Sequence, residues 1–119
     1  MREQNEASPV RCKMLFWSQG PRATALAREF YGDANGSHAT AAEVSLAQHY
    51  QPSAIKHAQM SPKIAPKSTG FFDSADYRRR FPDGRIGSDP SLSTPEHGAR
   101  LYSAAVADMV EVYRAFMAA

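Results

Sequence analysis

The chain has 119 residues, 43% hydrophobic and 22% charged, with a net charge of +2. That balance describes one globular domain of ordinary size rather than a disordered chain, and the charge is too small to argue for nucleic acid. No stretch approaches the roughly eighteen apolar residues of a membrane helix, the N-terminal "MREQNEASPV" has no apolar signal core, and the single Cys12 has no partner for an internal disulfide, so a cytoplasmic location is expected.

"VRCKMLFW" (10–17) reads as a strand. Val10, Cys12, Met14 and Phe16 alternate with Arg11, Lys13, Leu15 and Trp17, and the second half is apolar on both faces, as in a strand entering a buried sheet. "SQGP" (18–21) ends it. "RATALAREFYG" (22–32) reads as a short helix closed by Gly32, and "DANGS" (33–37) as a loop with strong turn chemistry. A second helix is expected to begin near Ser37 or His38 and to run to about Tyr50, with Pro52 as its stop. Residues 56–73 are rich in Lys, Pro, Ser and Gly and read as an extended loop. "SADYRRRF" (74–81) reads as a short helix capped by Ser74. Its basic run, flanked by Tyr77 and Phe81, is a solvated helix face, with phosphate binding as the alternative. "PDGRIGSDPSLST" (82–94) is turn-rich and ordered by what it touches.

The last helix has the clearest signals. Thr94 is a good N-cap, Pro95 occupies the first helical position and Glu96 lies in the first turn. Leu101, Ala105, Met109, Val112 and Phe116 recur at helical spacing, and Tyr102, Val106, Val110 and Tyr113 form a second apolar row. A stripe that wide predicts a helix covered on two sides, with another subunit as one candidate for the second cover. The inventory therefore contains one clear strand and three or four helices. One strand leaves its own N–H and C=O groups unpaired, and "PKIAP" (62–66) is too short and too broken by proline to be its partner.

There is no CxxC, no HExxH and no phosphate-cradling glycine loop. The segment that offers chemistry is "GSHATAAEVS" (36–45), with His38 after a glycine turn and Glu43 five residues on. A neutral imidazole at a helix N-terminus suits metal ligation or general-base work. Within one helix the two side chains would stand about 140° apart, so they converge only if His38 precedes the first turn. Two readings stay open on these ten residues alone. In one, His38 and Glu43 are parts of a site; in the other, His38 is a polar first-turn residue and Glu43 a surface charge. His49, His57 and His97 have no comparable setting.

"HATAAEVS" resembles the H-A-G-x-x-E-T-S segment of the creatininase (creatinine amidohydrolase) family. "GRIGSDPSLSTPEHGARLYSAAV" (84–106) resembles that family's run of G-x-x-G-(S)-D-P-x-x-A-T-x-E-x-G followed by a helix. The resemblance covers nearly the whole chain. It implies an α/β, three-layer creatininase-like fold and membership of a family of metal-dependent amidohydrolases. These open cyclic amides or cleave related non-peptide C–N bonds with two divalent metals, zinc or manganese, and they commonly form hexamers. By resemblance His38 is the catalytic histidine beside the metals, and Glu43 is an acidic residue at or next to the metal site.

Thr40 stands where the family usually has glycine and Val44 where it has threonine. Ala34 and Asn35 replace the tryptophan and aspartate that precede the histidine in creatininase itself, which argues against creatinine as the substrate. The family's E-x-H ligand pair, its later aspartate and its G-H-x-G-N block have no counterpart in these residues. Residues 1–119 are therefore expected to be the C-terminal portion of a creatininase-like domain, an incomplete half. Two functions follow: a hydrolase of a small-molecule amide that needs the missing half or other subunits, or a non-catalytic remnant acting as a protein-interaction module. Neither nucleic acid nor membrane is expected as a partner.

Overall fold

Among residues 10–118, which a computed structural model of the chain describes, four α-helices carry the fold. They are α1 (Pro21–Tyr31), α2 (Ala41–Tyr50), α3 (Ser74–Arg80) and α4 (Pro95–Ala118). Proline at the first helical position starts α1 and α4, because a missing N–H costs nothing there. Gly32, at φ 52°, ends α1 in a conformation that side chains disfavour.

The cap of α1 comes from 85 residues away. Gly20 offers no side chain, and the N–H groups of Arg22 and Ala23 donate to Asp108 Oδ2 on α4, each at 3.0 Å. A Cβ on Gly20 would sit 2.2 Å from the same oxygen, so glycine is required for this approach. The carboxylate occupies the positive end of the helix and satisfies two of its free donors.

Helix α2 begins three residues later than the sequence suggested. Thr40, not Ser37 or His38, is its cap: Glu43 N donates to Thr40 Oγ1 at 3.1 Å, and Thr40 N donates to Glu43 Oε2 at 3.0 Å. That reciprocal pair is a capping box. The earlier start fails because Ala39 has φ 50° and the backbone of residues 37 and 38 is bonded to Ile86 instead. The short α3 is likewise capped one residue earlier than expected, by Asp73, whose Oδ1 accepts from Asp76 N at 2.8 Å. Thr94 caps α4 as the sequence indicated, its Oγ1 accepting from His97 N at 3.1 Å.

The core lies where α1, α2 and α4 meet. Tyr31, Ala41, Ala42 and Leu101 are buried, with Leu26, Phe30, Leu46 and Leu92 packed against them. Helices α2 and α4 cross at Gly98, where a Cβ would lie 2.0 Å from the carbonyl oxygen of Ser45. Ser45 is fully buried; its hydroxyl meets Tyr31 Oη at 2.7 Å and accepts from Thr94 N at 3.1 Å. One hydroxyl thus ties the end of α1 to the start of α4 through the middle of α2.

One expectation fails here. Residues 10–16 form no strand: they run as irregular chain, and Val10, Met14, Leu15 and Phe16 are exposed. The alternation is present, but no other strand among the described residues pairs with it, and an unpaired strand gains no ladder bonds. The described residues are mainly helical, and the β pairing they contain is an isolated bridge, His38 with Ile86. The expected α/β layers are therefore not formed by these residues. Within this single chain α4 is covered on one side, and the second row is left free for another subunit to cover. Gly98, Leu101, Ala105 and Asp108 are buried against α1 and α2, while Tyr102, Val106, Val110 and Tyr113 remain exposed.

The 56–73 loop is irregular, as its composition implied, but it is anchored. The Arg85 side chain is buried and donates to the carbonyl oxygens of Pro62 and Lys63 at 2.8 and 2.9 Å. Ala65 N donates to Ser88 O and Gly87 N to Pro66 O. The buried stretch 85–89 is thus held by neighbours, as the turn-rich sequence suggested.

Candidate active site

The segments 36–45 and 84–98 lie about fifty residues apart in sequence and are clamped together in the structure. Ser37 N donates to Ile86 O at 2.9 Å, and Ile86 N to His38 O at 3.2 Å. Ser88 Oγ adds a second bond to His38 O, at 2.9 Å. Gly36, at φ 73°, makes the approach possible: a Cβ there would meet Ile86 O and Ser88 N at 2.5 Å. Asp89 N closes the contact on Ala34 O at 2.9 Å. Ser88 and Asp89 are almost completely buried, which shields their side of these bonds from water.

This clamp fixes the backbone of His38 and leaves its side chain exposed. The residue precedes the first turn of α2, which is the condition for it to approach Glu43. Glu43 is exposed too, and its Oε2 accepts from both the N–H and the hydroxyl of Thr40. The threonine that departs from the family's usual glycine therefore orients the glutamate. Asn35 supports the same helix start by accepting from Ala42 N at 3.0 Å.

Beside the clamp opens a cleft of about 650 Å³. Glu43, Thr40 and Ser37 line one wall, Trp17 and Arg28 lie on the α1 side, and Lys67 stands at the anchored loop. The imidazole of His38 is not part of that lining. The structure brings Glu43 to the cleft and leaves His38 on the adjoining surface. The sequence marks Trp17 only as the end of its expected strand and gives Arg28 and Lys67 no functional signal. A helix-surface arginine and a loop lysine carry no spacing signal, and the three side chains come from separate segments that only the fold brings together.

The other histidines have different places. His49 and His57 are exposed. His97 stacks on Phe30 with ring centroids 4.1 Å apart and interplanar angle 5°, a packing role in addition to its place in the first turn of α4. Behind the site, burial pushes the Tyr31 phenol up from its ordinary value, against the opposing effect of its bond to Ser45.

Among the described residues no group of three or more His, Cys, Asp and Glu side chains is placed to hold a metal ion. His38 and Glu43 do not by themselves fit a metal centre, which takes about three protein ligands. No helix among these residues is long and apolar enough to cross a membrane.

The chain matches a family model described as creatininase, creatinine amidohydrolase, over residues 1–113. It belongs to the creatininase family. A comparison with curated proteins gives no match. Creatininase membership sets the chain among hydrolases of amide bonds and suggests an α/β fold, of which the described residues contribute helices and one bridge. The two segments that carry the creatininase resemblance are the two that the clamp joins.

Proposed function

We propose that this chain forms one wall of the active site of a metal-dependent amidohydrolase that acts on a cyclic amide or a related non-peptide C–N bond. The metals are zinc or manganese, and most of their ligands come from an N-terminal half absent from these residues or from other subunits of a homo-oligomer. The observation that carries this reading is the clamp of 36–38 onto 86–88 beside the cleft. The clamp sets the Glu43-bearing helix start on the cleft wall and holds the His38 backbone beside it.

The roles follow from position. His38, rigid in its backbone and free in its ring, takes up or delivers a proton at the leaving nitrogen; its reach into the cleft depends on side-chain rotation. Glu43 has Oε2 engaged by Thr40 and Oε1 without a hydrogen bond among the described residues, so one oxygen remains for the metal side of the site. No ligand set is complete here, so the chain alone is expected to be inactive.

A second reading has support of its own. The exposed residues 10–16 and the exposed row on α4 suit a module that binds other protein and catalyses nothing.

Co-expression with the N-terminal half of a family member, followed by assay against cyclic amides and formamides, separates the two. The first reading expects hydrolysis that falls by about 10²–10⁴ in His38→Ala, the range for loss of a general acid or base. His49→Ala and His57→Ala are expected to have little effect. Restored activity indifferent to His38 overturns its assignment, and failure to assemble with any such half favours the interaction module.

A further inference from the structure

Two cations, Arg28 and Lys67, and two anions, Asp33 and Glu43, line the cleft, but they are not all paired with one another. Lys67 Nζ pairs with Asp33 Oδ2 at 3.1 Å. Glu43 is held by two donors from Thr40 and belongs, on the reading above, to the metal side. Arg28, in the last turn of α1, lines the same cleft and makes no ion pair or side-chain hydrogen bond among the described residues. A guanidinium is a rigid fork of donors that matches a carboxylate in two bonds. Trp17 offers a flat apolar surface in the same space, and the volume is that of a small-molecule site.

We infer that Arg28 is a specificity-determining residue and that the site takes amides carrying a carboxylate. The inference rests on the proposed function, because it treats the cleft as the substrate site. The carboxylate docks on Arg28 and places the ring of the amide along Trp17, with its C–N bond toward the Glu43 wall. Lys67 shares its surroundings with the Asp33 carboxylate, which repels a second carboxylate there, so it adds little to the selection.

The test uses the whole chain and a matched pair of lactams, 5-oxoproline and 2-pyrrolidinone, which share a ring and differ in the carboxylate. Trp17 is the chain's single tryptophan, so its fluorescence reports occupancy directly. The expected result is binding of 5-oxoproline about tenfold tighter than 2-pyrrolidinone, the order of one charge-assisted bond at an accessible site. Arg28→Gln is expected to bring the two within about twofold, and Arg28→Lys to keep part of the preference. Equal affinities, no response to either lactam, or a preference that survives Arg28→Gln each overturn the inference. The two proposals fail separately. His38-dependent hydrolysis of neutral amides with no carboxylate preference removes the role of Arg28 and leaves the proposed function. An Arg28-dependent preference in an assembled complex indifferent to His38 does the reverse.

Discussion

Asp108 shows how much one buried carboxylate can organise. Burial alone would push its pKa up. The hydrogen bonds from Ala23 and Arg22, and the charge of the Arg22 guanidinium at 2.8 Å, outweigh that and hold it below the usual carboxylate range. A group whose pKa is depressed by folding stabilises the native state at pH above its unfolded value, near 3.9. That contribution is lost as pH falls through the lower, folded value. Asp76, Asp83 and Glu111 shift in the same direction, so their acid limbs add. Urea unfolding followed from pH 7 to about pH 2.5 should therefore show stability level at first and falling below about pH 4. Asp108→Asn should be less stable at neutral pH and show a shallower acid limb. An unchanged limb in that variant would mean that Asp108 is not the group being titrated.

At the scale of elements, the contact that decides the packing is the crossing of α2 and α4. The crossing is close because Gly98 has no side chain, and an added methyl would meet the Ser45 carbonyl. Gly98→Ala should force the helices apart and loosen the bonds of Ser45 to Tyr31 and Thr94. A loss of about 1–3 kcal/mol, the usual cost of overpacking, is expected in denaturant unfolding. A neutral result would show that the helices slide freely at this point. The helices themselves were legible from sequence, because Gly32, Pro52 and Thr94-Pro95 act locally through dihedral preference and capping. What misled was structure fixed from a distance. Ser37 and His38 have the look of a helix start, yet Ile86 takes their backbone. Residues 10–17 have a strand's alternation, yet no strand among the described residues lies beside them to complete a sheet. The two chemistry-bearing segments were readable as motifs. Their clamp, the capping role of Glu43 and the cleft side of Arg28 were not, because each depends on a contact between separate elements.

The whole molecule is loosely drawn for its size. Its Cα radius of gyration is 17.5 Å, against about 13 Å for a self-contained domain of this length. Large apolar side chains remain exposed on residues 10–16, at Phe71 and Phe72, and along α4. Such a surface supports the view that these residues are one side of a larger fold, and it bears on the metal. On the proposed function the site is assembled from two portions of chain and has too few ligands in either alone, and metal affinity follows ligand number and preorganisation. Calorimetric titration of this chain with zinc and with manganese should therefore show no stoichiometric binding at sub-micromolar concentration. The same titration on a complex with the N-terminal half should show two equivalents, and Glu43→Gln should weaken at least one, by about 10–100-fold if Glu43 only supports a ligand. Tight binding by the chain alone that survives both His38→Ala and Glu43→Gln would put the metal elsewhere. The clamp between 36–38 and 86–88 would then be a device of folding rather than of catalysis.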